Sequence, residues 1–151
     1  MISKKCKYAI RALIYIANNQ AEMGLVDSSQ IAEKERIPKK FLEAILHELR
    51  KNQILHSSRG KLGGYKLLKD PSEIKLTDIM RIMDGPIAML PCVSLNYYAK
   101  CDECDETTCV IKPVFEKIRD LTLDVLNNTN VLKLKEESIL KNKEHNDEIQ
   151  K

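Results

Sequence analysis

The chain has 151 residues, 43% of them hydrophobic and 31% charged, with five cysteines, no tryptophan and a formal net charge of +3. Those values argue against a wholly disordered polymer and suit one buried core with an extension, and no uncharged apolar run approaches the length of a membrane span. The placement of charge says more than its sum: between Lys34 and Lys75 eleven Lys or Arg face five acidic residues, an excess that attracts phosphates over about a Debye length and is also compatible with an ordinary solvated face.

From Ser3 to Asn19, Tyr8, Ala9, Ala12, Leu13, Ile16 and Ala17 recur at helical spacing, with Ile10 and Ile14 widening the apolar stripe. Positive residues before an apolar stretch have the outline of a signal peptide, but Arg11 interrupts the stretch and no small-residue cleavage site follows. The segment reads as an amphipathic core helix, which places the protein in the cytoplasm by default. Gln20 to Gly24 reads as a loop. Asp27 and Gln30 form a capping pair that opens a short helix through Ile31, Ala32 and Lys34. Pro38 breaks it and suits the first turn of the next helix, which runs to about Asn52. There Phe41, Leu42, Ile45, Leu46 and Leu49 make a one-sided stripe, and Lys39, Lys40, Glu43, His47, Arg50 and Lys51 form the other face. Two helices about a tight turn, the second basic on its outer side, make a helix-turn-helix candidate.

Ile54–Ser58 and Tyr65–Leu68 read as paired strands around Arg59-Gly-Lys-Leu-Gly-Gly64, a glycine-rich turn whose Arg59 and Lys61 stand where a wing would meet DNA phosphates or a minor groove. Thr77–Met83 is a short helix ended by Asp84-Gly85-Pro86. Ile87 to Thr108 looks irregular. Val110 to about Asn127 is helical, and its stripe of Val114, Phe115, Ile118, Leu121, Val125 and Leu126 needs something to bury it, for which a second subunit is the favoured choice. Val131 to about Ser138 forms a last short helix, and Ile139 to Lys151 is a polar tail expected to be disordered.

Taken in order, Tyr8-Ala-Ile-Arg-Ala-Leu-Ile-Tyr-Ile-Ala17, Ile37-Pro-Lys-Lys-Phe-Leu-Glu-Ala-Ile-Leu46, Leu49-Arg-Lys-Asn52, Ser58-Arg-Gly-Lys-Leu-Gly-Gly-Tyr65, Ile74-Lys-Leu-Thr-Asp-Ile79 and Met83-Asp-Gly-Pro86 resemble the Rrf-two family of bacterial transcription regulators over about residues 1–138. The resemblance implies a mostly α fold with a small β-hairpin wing: a winged helix-turn-helix domain over residues 1–86, a cysteine-bearing sensor loop over 87–109, and a long dimerisation helix with a short terminal helix over 110–138, before the tail at 139–151. It further implies a homodimeric repressor, not an enzyme, bound to roughly palindromic double-stranded operators and independent of membranes. The expected DNA-facing set is Ser28, Lys39, Lys40, Glu43, His47, Arg50, Arg59 and Lys61. Within it Lys40 can serve a phosphate or guanine, Glu43 can accept from cytosine N4, and Arg59 suits a phosphate or a narrow minor groove. Tyr65 is expected to pack the wing rather than read bases.

Cys92, Cys101, Cys104 and Cys109, spaced x8, x2 and x4, could ligate an iron–sulfur cluster, as several members of the family do, in 2Fe-2S or 4Fe-4S form. Zinc, thiol–disulfide switching and no metal are the alternatives. Where cluster-binding relatives supply a non-cysteine fourth ligand this chain has Lys112 or Lys7, so the extra cysteine or the partner's Cys6 is the candidate replacement. Otherwise Cys6 is expected to be an ordinary buried thiol. Two further readings are a regulator without a cluster, governed by thiol oxidation, a small molecule or a partner protein, and a thiol redox enzyme built on Cys101-x-x-Cys104, for which no βαβ pattern or catalytic partner is found.

Overall fold

The computed structural model of the chain describes residues 2–102 and 104–149. Six α-helices and one β-hairpin follow in the order α1 (Lys4–Met23), α2 (Ser28–Lys34), α3 (Lys39–Lys51), β1 (Leu55–Ser58), β2 (Gly64–Leu67), α4 (Leu76–Asp84), α5 (Lys112–Asn127) and α6 (Val131–Ile149), with a 3-10 turn at Pro91–Val93. The expected architecture, mostly helical with one small wing, is what the structure has.

Helix α1 is the spine. Cys6, Ala9, Ala12, Leu13, Ile16 and Ala17 are buried along it, and α2, α3, α4, α6 and β2 all pack around it. Ala9, Ala12 and Ala17 let neighbours approach closely, while Leu13 and Ile16 fill the centre with Ile31, Leu42, Ile45, Leu46 and Ile79. The helix opens on Ser3, whose hydroxyl accepts from the Cys6 amide at 3.0 Å. It does not stop at Asn19: the segment expected as a loop continues the helix to Met23, ending only where Gly24 takes φ +72° and donates to the Gln20 carbonyl at 2.9 Å. The extra turn is used, because the Gln20 side chain accepts from the Leu67 amide at 2.9 Å and ties α1 to the hairpin.

Asp27 caps α2 by accepting from the amides of Ser29 (2.7 Å) and Gln30 (3.4 Å). Helices α2 and α3 end alike. Ile37 donates to Ala32 and Arg36 to Glu33 at the end of α2; Ile54 donates to Leu49 and Gln53 to Arg50 at the end of α3. These paired bonds are Schellman closures, which need a left-handed residue after the cap. Here those residues are Arg36 (φ 50°) and Gln53 (φ 59°) rather than glycine. Phe41, expected in the buried stripe of α3, is instead 42% exposed; its ring meets Tyr8 edge-on with centroids 5.8 Å apart, covering the rim of the α1–α3 contact.

The hairpin pairs Leu55 with Leu67 through to Ser58 with Gly64. Val26 and Tyr65 exchange both backbone hydrogen bonds at 2.9 Å, so the segment before α2 acts as a short third strand. Gly64 is required at that crossing, since a Cβ there would lie 2.6 Å from the Val26 carbonyl oxygen.

Helix α6 departs furthest from expectation. The tail expected to be disordered from Ile139 is helical to Ile149, as part of one 19-residue helix. Lys, Glu and Leu are good helix formers, no Gly or Pro interrupts the segment, and Lys141 pairs with Glu137 one turn back at 3.5 Å. Only the first half is packed: Val131 is buried and Asn18 donates to the Ser138 hydroxyl at 3.3 Å, whereas 139–147 are all exposed. The last two residues of the expected tail lie outside the described residues.

Candidate nucleic-acid interface and cysteine loop

On α3, Lys40, Glu43, His47 and Arg50 fall three or four residues apart and are all exposed, so they form one row along the helix, opposite the buried Leu42, Ile45, Leu46 and Leu49. Arg50 Nη2 lies 3.4 Å from His47 Nδ1. Lys39 begins the helix and reaches back to donate to the Ser29 hydroxyl at 2.9 Å, linking the first turns of α2 and α3. Ser28, half-buried at the start of α2, is adjacent to that link; the hydroxyl that Lys39 holds belongs to its neighbour. Arg59 and Lys61 are exposed at the far end of the hairpin.

Seven of the eight residues singled out for DNA thus lie exposed on α3 and the wing tip, with Ser28 at their edge. Gln30, expected only as a capping residue, and Lys66 and Leu62, given no role by the sequence, line an open groove with Lys61 between the start of α2 and the wing. Lys66 was recoverable from strand alternation, and Leu62 from its place in a turn that otherwise carries glycines and cations.

After Pro86 the chain leaves the core. Val93 is buried, and its carbonyl accepts from Arg119 Nη1 of α5 at 2.6 Å. Beyond it Asp105 accepts from the amide (2.9 Å) and hydroxyl (2.7 Å) of Thr107, which hold its carboxyl below the usual carboxylate range. Glu106 binds Lys112 and the Tyr98 hydroxyl, drawing the loop onto the first residue of α5. Lys112, at a position where cluster-binding relatives are expected to supply a ligand, is therefore an ion-pair partner here.

Cys92, Cys101 and Cys109 are half-buried, Cys104 exposed and Cys6 buried. Hydrogen bonding to Cys101 first, then desolvation and a bond to Cys109, pushes the Cys104 thiol up to about 12. Cys109 is held below its ordinary value by the backbone N–H groups of Lys112 and Ile111 at the start of α5. Cys92 lies on the 3-10 turn at Pro91–Val93, and the Tyr98 hydroxyl is raised first by the bond it donates to Glu106. Cys104 is therefore joined by hydrogen bonds to both Cys101 and Cys109. Among the described residues no three His, Cys, Asp or Glu side chains are grouped so as to hold a metal ion. By donor chemistry, the three hydrogen-bonded thiols are of the soft kind that thiolate-bound clusters and zinc take, and backbone amides at the start of α5 favour the anionic form of Cys109. Burial, with the nearby Asp84 charge adding to it, pushes the Cys6 thiol up to about 11, as expected of an inert core thiol.

The sequence model of the Rrf2 family, described as an iron-dependent transcriptional regulator, matches residues 2–137. An rrf2-like HTH-type transcriptional regulator of Rhodobacter capsulatus is 42% identical over 78% of this chain and 81% of its own. The HTH-type transcriptional regulator IscR of Escherichia coli is 30% identical over 84% of this chain and 75% of its own. Among solved structures, CymR, the global cysteine regulator of B. subtilis, superposes with a TM-score of 0.73 at 26% identity, covering 90% of this chain and 96% of that one.

Proposed function

The chain belongs to the Rrf2 family of DNA-binding transcriptional regulators, and from that premise we propose that it works as a cytoplasmic homodimeric repressor on roughly palindromic double-stranded operators. The observation that carries the proposal is the exposed row Lys40, Glu43, His47 and Arg50 on α3, set in one domain with the basic wing tip of Arg59 and Lys61. A helix with that face suits the major groove, and cations on a hairpin suit the flanking phosphates or minor groove. Lys40 and Arg50 offer donors to phosphate or guanine, and Glu43 offers an acceptor to cytosine N4.

Dimerisation is supported by α5, where Val114, Leu121 and Val125 are each more than half exposed on a helix that buries only Leu123. A second copy of α5 is the partner that would cover this face and set two recognition helices about one DNA turn apart. Among the described residues no helix is long and apolar enough to cross a membrane.

For the signal we propose that Cys101, Cys104 and Cys109 hold an iron–sulfur cluster, with Cys92 as the fourth candidate ligand. The family description as iron-dependent supports this. When bound, the cluster would supply a redox- and iron-responsive centre; the chain itself supplies the thiolates, the α5 amides that favour them, and the Tyr98–Glu106–Lys112 contacts that fold the loop. A second reading, control by thiol oxidation without metal, is favoured by the hydrogen bond that brings the lowered Cys109 thiol onto Cys104. Operator binding by anaerobically purified and air-oxidised protein, alongside iron and sulfide content, tests both. Iron with matching sulfide and state-dependent affinity supports the cluster, state dependence without iron supports the thiol pair, and equal affinity in every state ends both sensing claims while leaving DNA binding intact.

A further inference from the structure

Among the described residues, the most exposed large apolar side chain is Leu62, at 91%. Lone apolar residues on a surface are ordinary, but this one stands where local chemistry argues most strongly against it. The Gly63 amide donates to the Gly60 carbonyl at 3.0 Å, closing a four-residue turn whose two corner residues are Lys61 and Leu62. Such corners favour Gly, Asn, Asp or Ser, and a broken local rule in an otherwise consistent fold is expected at a functional position.

The neighbours strip Leu62 of cover. Gly60 has φ +111°, and Gly63 follows without a side chain because a Cβ there would strike the Ser58 carbonyl. The arm is also braced, by the double hydrogen bond between Val26 and Tyr65 and by Gln20 on Leu67. Leu62 is thus held out at the tip of a braced hairpin, with Arg59 and Lys61 in the same loop and Lys66 lining the groove beside it.

Resting on the DNA-binding reading, the geometry points to Leu62 as a specificity residue of the wing: it presses onto the minor-groove floor between phosphates held by Arg59 and Lys61, and favours A·T pairs there. An A·T pair presents only acceptors in that groove, whereas G·C adds the guanine N2 amine. Covered by an isobutyl group that offers no acceptor, the amine loses its water and gains nothing in return. A narrow A·T groove also concentrates negative potential on the two flanking cations. Cations by themselves add affinity with little preference for sequence.

The test uses the full-length protein to select duplexes from a random library, with hydroxyl-radical cleavage locating the minor-groove positions under the wing. A·T pairs at those positions are replaced by G·C and, separately, by inosine·C, which lacks the N2 amine. The unaltered protein should lose about tenfold or more on G·C and recover on inosine·C. Leu62→Ala should bind all three alike, and Leu62→Gln, whose amide can accept from the amine, should tolerate G·C. Lys61→Ala should keep the discrimination while its salt slope falls by about one. Equal binding of the three duplexes by the unaltered protein, undiminished discrimination by Leu62→Ala, or a selected site with no minor-groove protection under the wing would each overturn the assignment. Failure to select any duplex would instead overturn the DNA-binding reading itself.

Discussion

Two left-handed residues show how this fold uses its backbone. Gln53 and Arg36 close helices α3 and α2 at positions where glycine is the unstrained choice. Gln53 is exposed and its side chain makes no hydrogen bond among the described residues, so Gln53→Gly should raise unfolding stability by about 0.5–1 kcal/mol, read as a higher urea midpoint at unchanged m-value. Gly64 is the opposite case: Gly64→Ala places a Cβ against the Val26 backbone and should cost about 1–3 kcal/mol, with faster amide exchange at Val26 and Tyr65. Cys6 gives a pH signature. Its thiol, raised to about 11 in the folded state by burial first, favours folding fully below its unfolded value near 9. That contribution is lost as pH climbs from about 9 through 11, so Cys6→Ala should flatten the alkaline limb of the stability–pH curve over that window.

Among the elements, α5 and the end of α6 are the two that bury least. On α5 the exposed Leu121 and Val125 sit one turn apart, and Leu121→Glu should leave the helical circular-dichroism signal intact while converting a sedimenting dimer to monomer. A dimer that survives the charge would remove α5 as the seam. Most elements were legible in the sequence: the one-sided stripe of Leu42, Ile45, Leu46 and Leu49 marks α3, and the glycine-rich turn Arg59–Gly64 between two short strand runs marks the hairpin. Two segments were not. The last turn of α1 carries Ala21, Glu22 and Met23, all exposed, so no buried period marks it, and it is fixed instead by Gln20 reaching β2 from 47 residues away. Beyond Ser138, α6 has no buried stripe either, and its helicity rests on propensity and local charge pairs, which polarity alone disguises as disorder.

At the scale of the whole molecule, the stretch from Lys34 to Lys75, which includes α3 and the wing, carries eleven Lys or Arg against five acidic residues. Lys40→Ala and Arg59→Ala should each lower operator affinity across sequences where they hold phosphates, with the slope of log affinity on log salt falling by about one per lost contact; fluorescence anisotropy from low to moderate salt measures it. The exposed row on α3 was legible because the buried Leu42, Ile45, Leu46 and Leu49 recur at helical spacing. The cysteine loop was not, because its shape depends on contacts that spacing does not encode: Glu106 on Lys112 and Tyr98, and Arg119 on the Val93 carbonyl.

The junction of α5 and α6 is fastened to the DNA-binding core by a run of bonds: Leu76 to Thr129 at 2.9 Å, Val131 to Ile74 at 3.0 Å, Leu132 to Pro71 at 3.2 Å, and the Thr77 hydroxyl to Asn127 at 2.7 Å. The opposite end of α5 is joined to the cysteine loop. A rod of 16 residues is about 24 Å long, so one pivoting by about 5° at its clamped foot carries its head about 2 Å sideways. The thiols sit at the head, and small changes in their bonding therefore have the longest available arm on which to act.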